Sequence, residues 1–382
     1  MSSVVTVSRH NQEAKTPPKP NACSCSSGSC CGSQAEAVCK PARKEPYIIG
    51  FAQSAAGKVP QVSTELAGRD ITGAWKVRWG IDRMSYTVEP GLYCAGAPDE
   101  SSPVLVTANY KLSFDQLRRE LSGLSVWILV LDTKGVNVWC AAGKGTFGTD
   151  ELLRRIEAVK LGSVVGHRTI ILPQLGATGV AAHTVAKKSG FHVVFGPVRA
   201  SDIRAFLKAG MNAADEMRAV NFTFADRLVL TPVEIVGAIK PLILFFGILF
   251  ILNAAGLGHF GLTELIAFSG AVATGCILTP VLLPWIPGSA FSFKGALLGL
   301  IWAALLIFLN GWPQLGYLRA ASFLLLLPSV SGYLAMNFTG CSTYTSPSGV
   351  NKEMRVAIPI LLVAAFLGIL LLLADCILNA LH

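Results

Sequence analysis

Val126-Trp127-Ile128-Leu129-Val130-Leu131, followed by Asn137-Val138-Trp139-Cys140-Ala141-Ala142-Gly143-Lys144-Gly145-Thr146-Phe147, is the stretch whose reading decides the fold. Six consecutive apolar residues without polar alternation read as a buried strand. Thr149-Asp150-Glu151-Leu152 then signals the start of a helix. A cysteine therefore stands just past the carboxyl end of a strand, where open α/β sheets bind ligands. The small residues and glycines around it let a large flat ligand approach the backbone.

Outward from this stretch the pattern is regular. Strands are expected at 104–107, 126–131, 169–172 and 192–195, and helices at 113–121, 149–159, 180–188 and 201–208. Ser113, Thr149 and Ser201 stand where N-caps belong, and Gly190 and Gly210 where helices stop. Strands alternating with helices of this length predict a parallel, Rossmann-like α/β sheet. Residues 46–103 read as an irregular lead-in with strand-like pieces at 75–79 and 86–88.

The chain has 382 residues, and its mean hydropathy of +0.52 is high for a soluble protein. The apolar excess lies in the C-terminal part, giving three expected regions: a polar Cys-rich tail at 1–45, an α/β domain at 46–230 and a membrane domain at 231–382. Five spans are expected, at 241–257, 262–283, 295–309, 317–336 and 357–378, each near the ~20 apolar residues that cross a bilayer core. Glu264, Arg319 and Asp375 fall near span ends, where they can snorkel. Lys294, Lys352 and Arg355 then lie on the side of the α/β domain, which the positive-inside rule puts in the cytoplasm, with Arg319 as the exception.

The net charge of +9 is scattered without aromatic interleaving, which argues against nucleic acid and for a domain held beside anionic lipid. Residues 1–45 are polar and hold no apolar run of the secretory kind, so a reducing cytosol is expected. Cys23, Cys25, Cys30, Cys31 and Cys39 in that tail suit soft-metal capture or nothing specific; their spacing fits no zinc site.

Which chemistry suits Cys140? A phosphate loop fails on spacing, because Val138 and Gly145 stand where Gly and Ser or Thr are needed. A cysteine nucleophile needs a base; His167 and His183 lie on other elements and could supply it, although no paired His/Asp signature supports this, so that alternative stays open too. Structural burial and metal ligation remain open. Cys94 and Cys341 are further thiols that burial or mercury relay would explain, and Thr107, Asn109, Gly176 and Gly196 stand near strand ends.

The Asn137–Lys144 run closely resembles the motif of the HgcA family, corrinoid proteins of mercury methylation. The resemblance extends from about residue 45 to the end, taking in Gly91-Leu-Tyr-Cys-Ala-Gly-Ala-Pro98, Ser102-Pro-Val-Leu-Val-Thr-Ala-Asn-Tyr110 and the five spans. The domain is also similar to the large corrinoid iron–sulfur subunit of the acetyl-CoA pathway. That relative lacks such a membrane region, and its iron–sulfur cysteines are not evident here. The resemblance implies a short helix capping a cobalamin or related corrinoid, with Cys140 as catalytic residue and lower axial cobalt ligand and the cofactor base-off. Asn137, Val138, Trp139, Ala141, Ala142, Gly143, Lys144, Gly145 and Thr146 complete the implied cofactor site. A thiolate is a soft, strongly donating ligand that raises electron density on cobalt. The implied activity is methyl transfer from cobalt to Hg(II), giving methylmercury. The implied partners are a folate-pathway methyl donor, membrane lipid and the ferredoxin-like HgcB, with two 4Fe-4S clusters, as reductant. The competing expectations are a corrinoid methyl carrier of one-carbon metabolism and a transporter or sensor that merely binds a cobamide.

Overall fold

The computed structural model describes residues 45–256, 260–341 and 347–381. The tail cysteines and His382 lie outside the described residues, as does the side chain of Cys341.

An α/β unit comes first. Among the described residues its strands number seven, β1 (Ile48–Ser54), β2 (Gly57–Val62), β3 (Gly91–Ala95), β4 (Val104–Ala108), β5 (Val126–Leu131), β6 (Thr169–Leu172) and β7 (His192–Phe195), in the order β1-β2-β3-β5-β4-β6-β7. The four strands expected from the sequence pair in parallel, β4 between β5 and β6 and β7 beyond β6. The sheet as a whole is mixed, because β1 and β2 form an antiparallel hairpin and β3 lies antiparallel to β5. β4 and β5 are buried along their whole lengths, which is why they read as unbroken apolar runs.

Helices cover both faces of the sheet. α1 (Gly68–Arg78) and α2 (Lys111–Glu120) are followed by α3 (Val138–Lys144), α4 (Thr149–Ala158), α5 (Ala182–Ser189) and α6 (Ile203–Lys208). Phe114 and Leu117 of α2 and Phe206 of α6 pack on one face, and Leu152 and Ile156 of α4 and Val185 of α5 on the other. The strand order turns back on itself between β4 and β6, so a crevice opens at the carboxyl ends of these two strands.

Several local expectations need correction. The lead-in is not irregular: it supplies β1, β2, β3 and α1. Residues 75–79 alternate like a strand, yet 75–78 complete α1. Asp70 accepts the Ala67 N–H at 3.0 Å and starts that helix, while Val77 is buried and Trp75 is left exposed. Residues 86–88 contribute only an isolated bridge, Thr87 with Tyr110. None of the three expected N-caps holds that position. Tyr110 and Gly148 cap α2 and α4, Ser201 lies in a short 3-10 turn before α6, and the Thr149 hydroxyl instead accepts the Ala181 N–H at 2.9 Å. Gly190 and Gly210 do take the left-handed conformation that ends a helix, with φ of 74° and 66°.

Among the described residues, five helices long and apolar enough to cross a membrane follow: α7 (Phe224–Ala254), α8 (Leu262–Leu282), α9 (Phe291–Asn310), α10 (Tyr317–Asn337) and α11 (Pro347–Leu381). α7 starts well before the expected 241, because Thr223 and Asp226 form a capping box and Pro232 and Pro241 are carried inside the helix. Glu264, Arg319 and Asp375 do not extend separately toward water. Arg319 pairs with Glu264 at 3.2 Å and with Asp375 at 2.9 Å, joining α8, α10 and α11.

Candidate functional site

The segment around Cys140 is built on the loop that leaves β5. Asn109, just past β4, is buried, and its Oδ1 accepts the N–H groups of Thr133 at 3.0 Å and Gly135 at 3.1 Å. The Asp132 N–H donates to Glu151 Oε1 at 2.8 Å, tying the loop to the first turn of α4. Burial opposes ionisation of Glu151, but this N–H and the guanidinium groups of Arg155 and Arg154 outweigh it and hold its carboxyl below the ordinary range. Gly135 has a φ of 72°, and a Cβ there would meet the Met84 carbonyl at 2.9 Å, so glycine is required.

Asn137 ends the loop and caps α3. Its side chain accepts the Cys140 N–H at 2.9 Å, which fixes the first turn of the helix. Gly145 closes the helix in the left-handed conformation at φ 79°. Ala141 and Ala142 point into the core. Asn137, Val138, Trp139, Cys140 and Thr146 are half-buried, and Gly143, Lys144 and Gly145 are exposed. The turn after β6 closes on this helix from below: a Cβ on Gly176 would strike the Phe147 ring, and one on Gly179 would strike the Phe147 carbonyl and Ala142. Sequence reasoning missed Gly179, because nothing local marks a glycine whose partner lies more than thirty residues away.

All ten sequence-predicted site residues thus lie on one seven-residue helix and its immediate flanks. Gly176 is brought to that helix through Phe147, whereas Gly196 packs on Ile171 beyond it. Asn109 is committed to holding the loop, and Thr107 is buried within β4. His167 precedes β6, at the opposite end of the parallel strands from Cys140, where its ring bonds the Ser102 carbonyl at 2.9 Å. His183 is exposed on α5. Cys94 is fully buried in β3, and burial pushes its thiol up to about 11, which suits packing rather than metal relay.

No group of three or more His, Cys, Asp or Glu able to hold a metal occurs among the described residues. A group that brings most of its own ligands, as a macrocycle does, suits a lone thiol among the described residues. The half-buried thiol, the exposed Gly143 and Gly145 with open space where a Cβ would stand, and the crevice between β4 and β6 fit such a group.

Residues 81–207 match the family model described as CO dehydrogenase/acetyl-CoA synthase delta subunit. The acetyl-CoA decarbonylase/synthase complex subunit gamma of Methanocaldococcus jannaschii is 35% identical over 128 residues, 33% of this chain and 26% of that protein. The same subunit of Methanopyrus kandleri is 34% identical over 137 residues, 35% of this chain and 29% of that protein. The corrinoid/iron-sulfur protein large subunit of Moorella thermoacetica is 32% identical over 141 residues, 36% of this chain and 31% of that protein. The chain therefore spans about a quarter to a third of the length of these relatives. The family match takes in β3 to β7 and the Cys140 helix and stops short of the five long helices. In that α/β region the chain is similar to the subunits of corrinoid/iron–sulfur and acetyl-CoA decarbonylase/synthase proteins.

Proposed function

We propose that the protein is a membrane-anchored corrinoid methyltransferase of the HgcA kind, which delivers a methyl group to Hg(II) and has Cys140 as the lower axial ligand of cobalt. The carrying observation is the half-buried Cys140 thiol on a short capped helix at the carboxyl end of a parallel sheet, within a region similar to corrinoid/iron–sulfur proteins. When bound, a base-off corrinoid supplies a cobalt centre that carries methyl groups, and a thiolate donor makes that centre electron-rich toward a soft electrophile.

The chain's own residues hold and orient. Asn137 sets the backbone of Cys140, and Asn109 and Glu151 keep the preceding loop from shifting. Ala142 seats the helix on Gly179 and Ala141 packs into the core, which fixes how far the helix stands from the sheet. Val138, Trp139, Gly143, Lys144, Gly145 and Thr146 supply the remaining surface toward the cofactor. The proposed reductant is the ferredoxin-like HgcB with two 4Fe-4S clusters. A folate-type compound is the proposed methyl donor. The proposed site of action is the cytoplasmic face of the cell's inner membrane, crossed by the five long helices.

A second reading rests on the relatives' names: a corrinoid methyl carrier of acetyl-CoA-type one-carbon metabolism. The absorption spectrum of purified protein loaded with cobalamin tests the ligand assignment. A base-off, thiolate-ligated spectrum that Cys140→Ala abolishes, together with loss of methylmercury formation in cells, is expected. Unchanged methylation in that variant would sink the assignment. A normal thiolate spectrum without any mercury methylation would favour the carrier.

A further inference from the structure

α1 buries one side only. Asp70 and Val77 face the α/β unit, whereas Ile71 and Trp75 recur four residues apart on another side and are 52% and 59% exposed. Trp79 continues the stripe at 38% exposure, and Ile81 and Met84 in the next turn are 52% and 69% exposed. Exposed tryptophans in such a row are unusual on a surface that meets only water.

Basic groups flank this stripe: Arg69 and Lys76 are exposed along one edge, whereas Arg78 on the other edge and Arg83 just beyond are half-buried on the side of Tyr110. None of the four has an ion-pair partner among the described residues, and Asp82 is an exposed carboxylate in the same turn. The stripe also adjoins α7: a Cβ built on Gly80 would stand 3.4 Å from Val236 Cγ1. Val236 lies nine residues beyond Arg227, whose Nε donates to the Val281 carbonyl at 3.2 Å and whose guanidinium stacks on Trp285. Arg227 and Trp285 mark the end of the bundle, since Val281 lies in the last turn of α8. At about 1.5 Å per residue, Val236 sits roughly 13 Å along α7 from that level, toward the middle of the bundle. Just past it, Ile239 and Ile243 of α7 are 40% and 65% exposed.

We propose that α1 and the turn after it lie in the headgroup layer of the bilayer, with the Ile71–Trp75–Trp79 stripe in lipid and the flanking cations on anionic phosphates. The proposal rests on the reading that the five long helices span a membrane. It orients the α/β unit: the Met84 carbonyl packs against Gly135, so the loop that carries the Cys140 helix stands one residue layer from the lipid surface.

The test uses full-length protein in vesicles of phosphatidylcholine and phosphatidylglycerol whose acyl chains are brominated near the headgroup. Tryptophan emission is compared between the natural chain, which has 7 tryptophans, and a Trp75→Phe/Trp79→Phe variant. The emission lost in the variant is expected to be quenched by bromolipid and shielded from aqueous iodide. Emission that iodide quenches and bromolipid does not would overturn the proposal and leave the stripe to a protein partner. Trp302 lies on α9 and Trp285 in the turn after α8, and the emission lost in a Trp285→Phe/Trp302→Phe variant reports the spanning reading separately. Loss of bromolipid quenching from them as well would defeat that reading, and the proposal with it.

Discussion

Cys140 depends on a hydrogen bond that is not its own side chain's. Asn137 Oδ1 accepts the Cys140 N–H, so Asn137→Ala should cost about 1 kcal/mol of stability. On the proposed reading it should also broaden the absorption bands of the bound corrinoid, because the thiol loses a fixed approach; denaturant melts and absorption of the loaded protein measure the two effects. Gly179→Ala is expected to act more severely. Its new Cβ has the Phe147 carbonyl and Ala142 in its way, both backbone of the Cys140 segment, so the helix must lift. Corrinoid retention during gel filtration should fall several-fold while membrane insertion stays normal. Equal loss of both would mean that the whole unit unfolds. The ten residues proposed for the site are contiguous and follow a recognisable strand, so their common place in the fold was legible in sequence, whereas their proposed role came from the family resemblance. Asn109, Glu151 and Gly179 were not legible in those supporting roles, because each works across a gap in the chain.

At the scale of elements, α1 and α2 are locked by a buried ion network. Arg118 is fully buried and bonds Asp70 at 2.7 Å, Asp115 at 2.8 Å and the carbonyls of Ser63 and Glu65, while Lys111 bridges both carboxylates at 2.7 Å. Removing one member strands the others, so Arg118→Ala should cost about 3–5 kcal/mol, read as a lower urea midpoint. Burial by itself would raise the pKa of Asp70, but Lys111, the Ala67 N–H and Arg118 outweigh it and hold the carboxyl below its ordinary 3.8. A depressed folded value means that this contribution is present above pH 3.8 and is lost as pH falls through the folded value. Acid melts should therefore show α1 loosening only below about pH 4, and Asp70→Asn should flatten that dependence. This network also explains why α1 was hidden from the sequence. Its strand-like alternation at 75–79 mixes two faces, with Trp75 and Trp79 exposed and Val77 in the core, and the other residues that hold the helix are charged.

For the whole molecule, the expected spans matched α8 to α10 closely, because an apolar run of bilayer length can be read without knowing its neighbours. The fate of the charges within them depended on neighbours. Arg319 is held between Glu264 and Asp375, and Asn379 donates to Asp375 at 3.2 Å. Arg319→Leu leaves two buried carboxylates without their cation and should lower the thermal midpoint of the detergent-solubilised protein by the equivalent of about 3–5 kcal/mol. Arg319→Leu combined with Glu264→Gln and Asp375→Asn should recover most of that loss, whereas a snorkelling arginine would show little effect in either variant.

Local periodicity, run length and one motif determined the class of the chain: a parallel α/β core, five long apolar helices and a cysteine past the end of β5. Those features are written within single elements, where side-chain spacing and chain stiffness leave few alternatives. Tertiary structure alone decided that the lead-in joins the sheet, that Asn109 and Gly179 hold the Cys140 helix, and that the turn after α1 lies against α7 at Gly80 and Val236. Each of these requires residues distant in sequence to meet, and their pairing is set by packing and by satisfying buried polar groups once the core has formed.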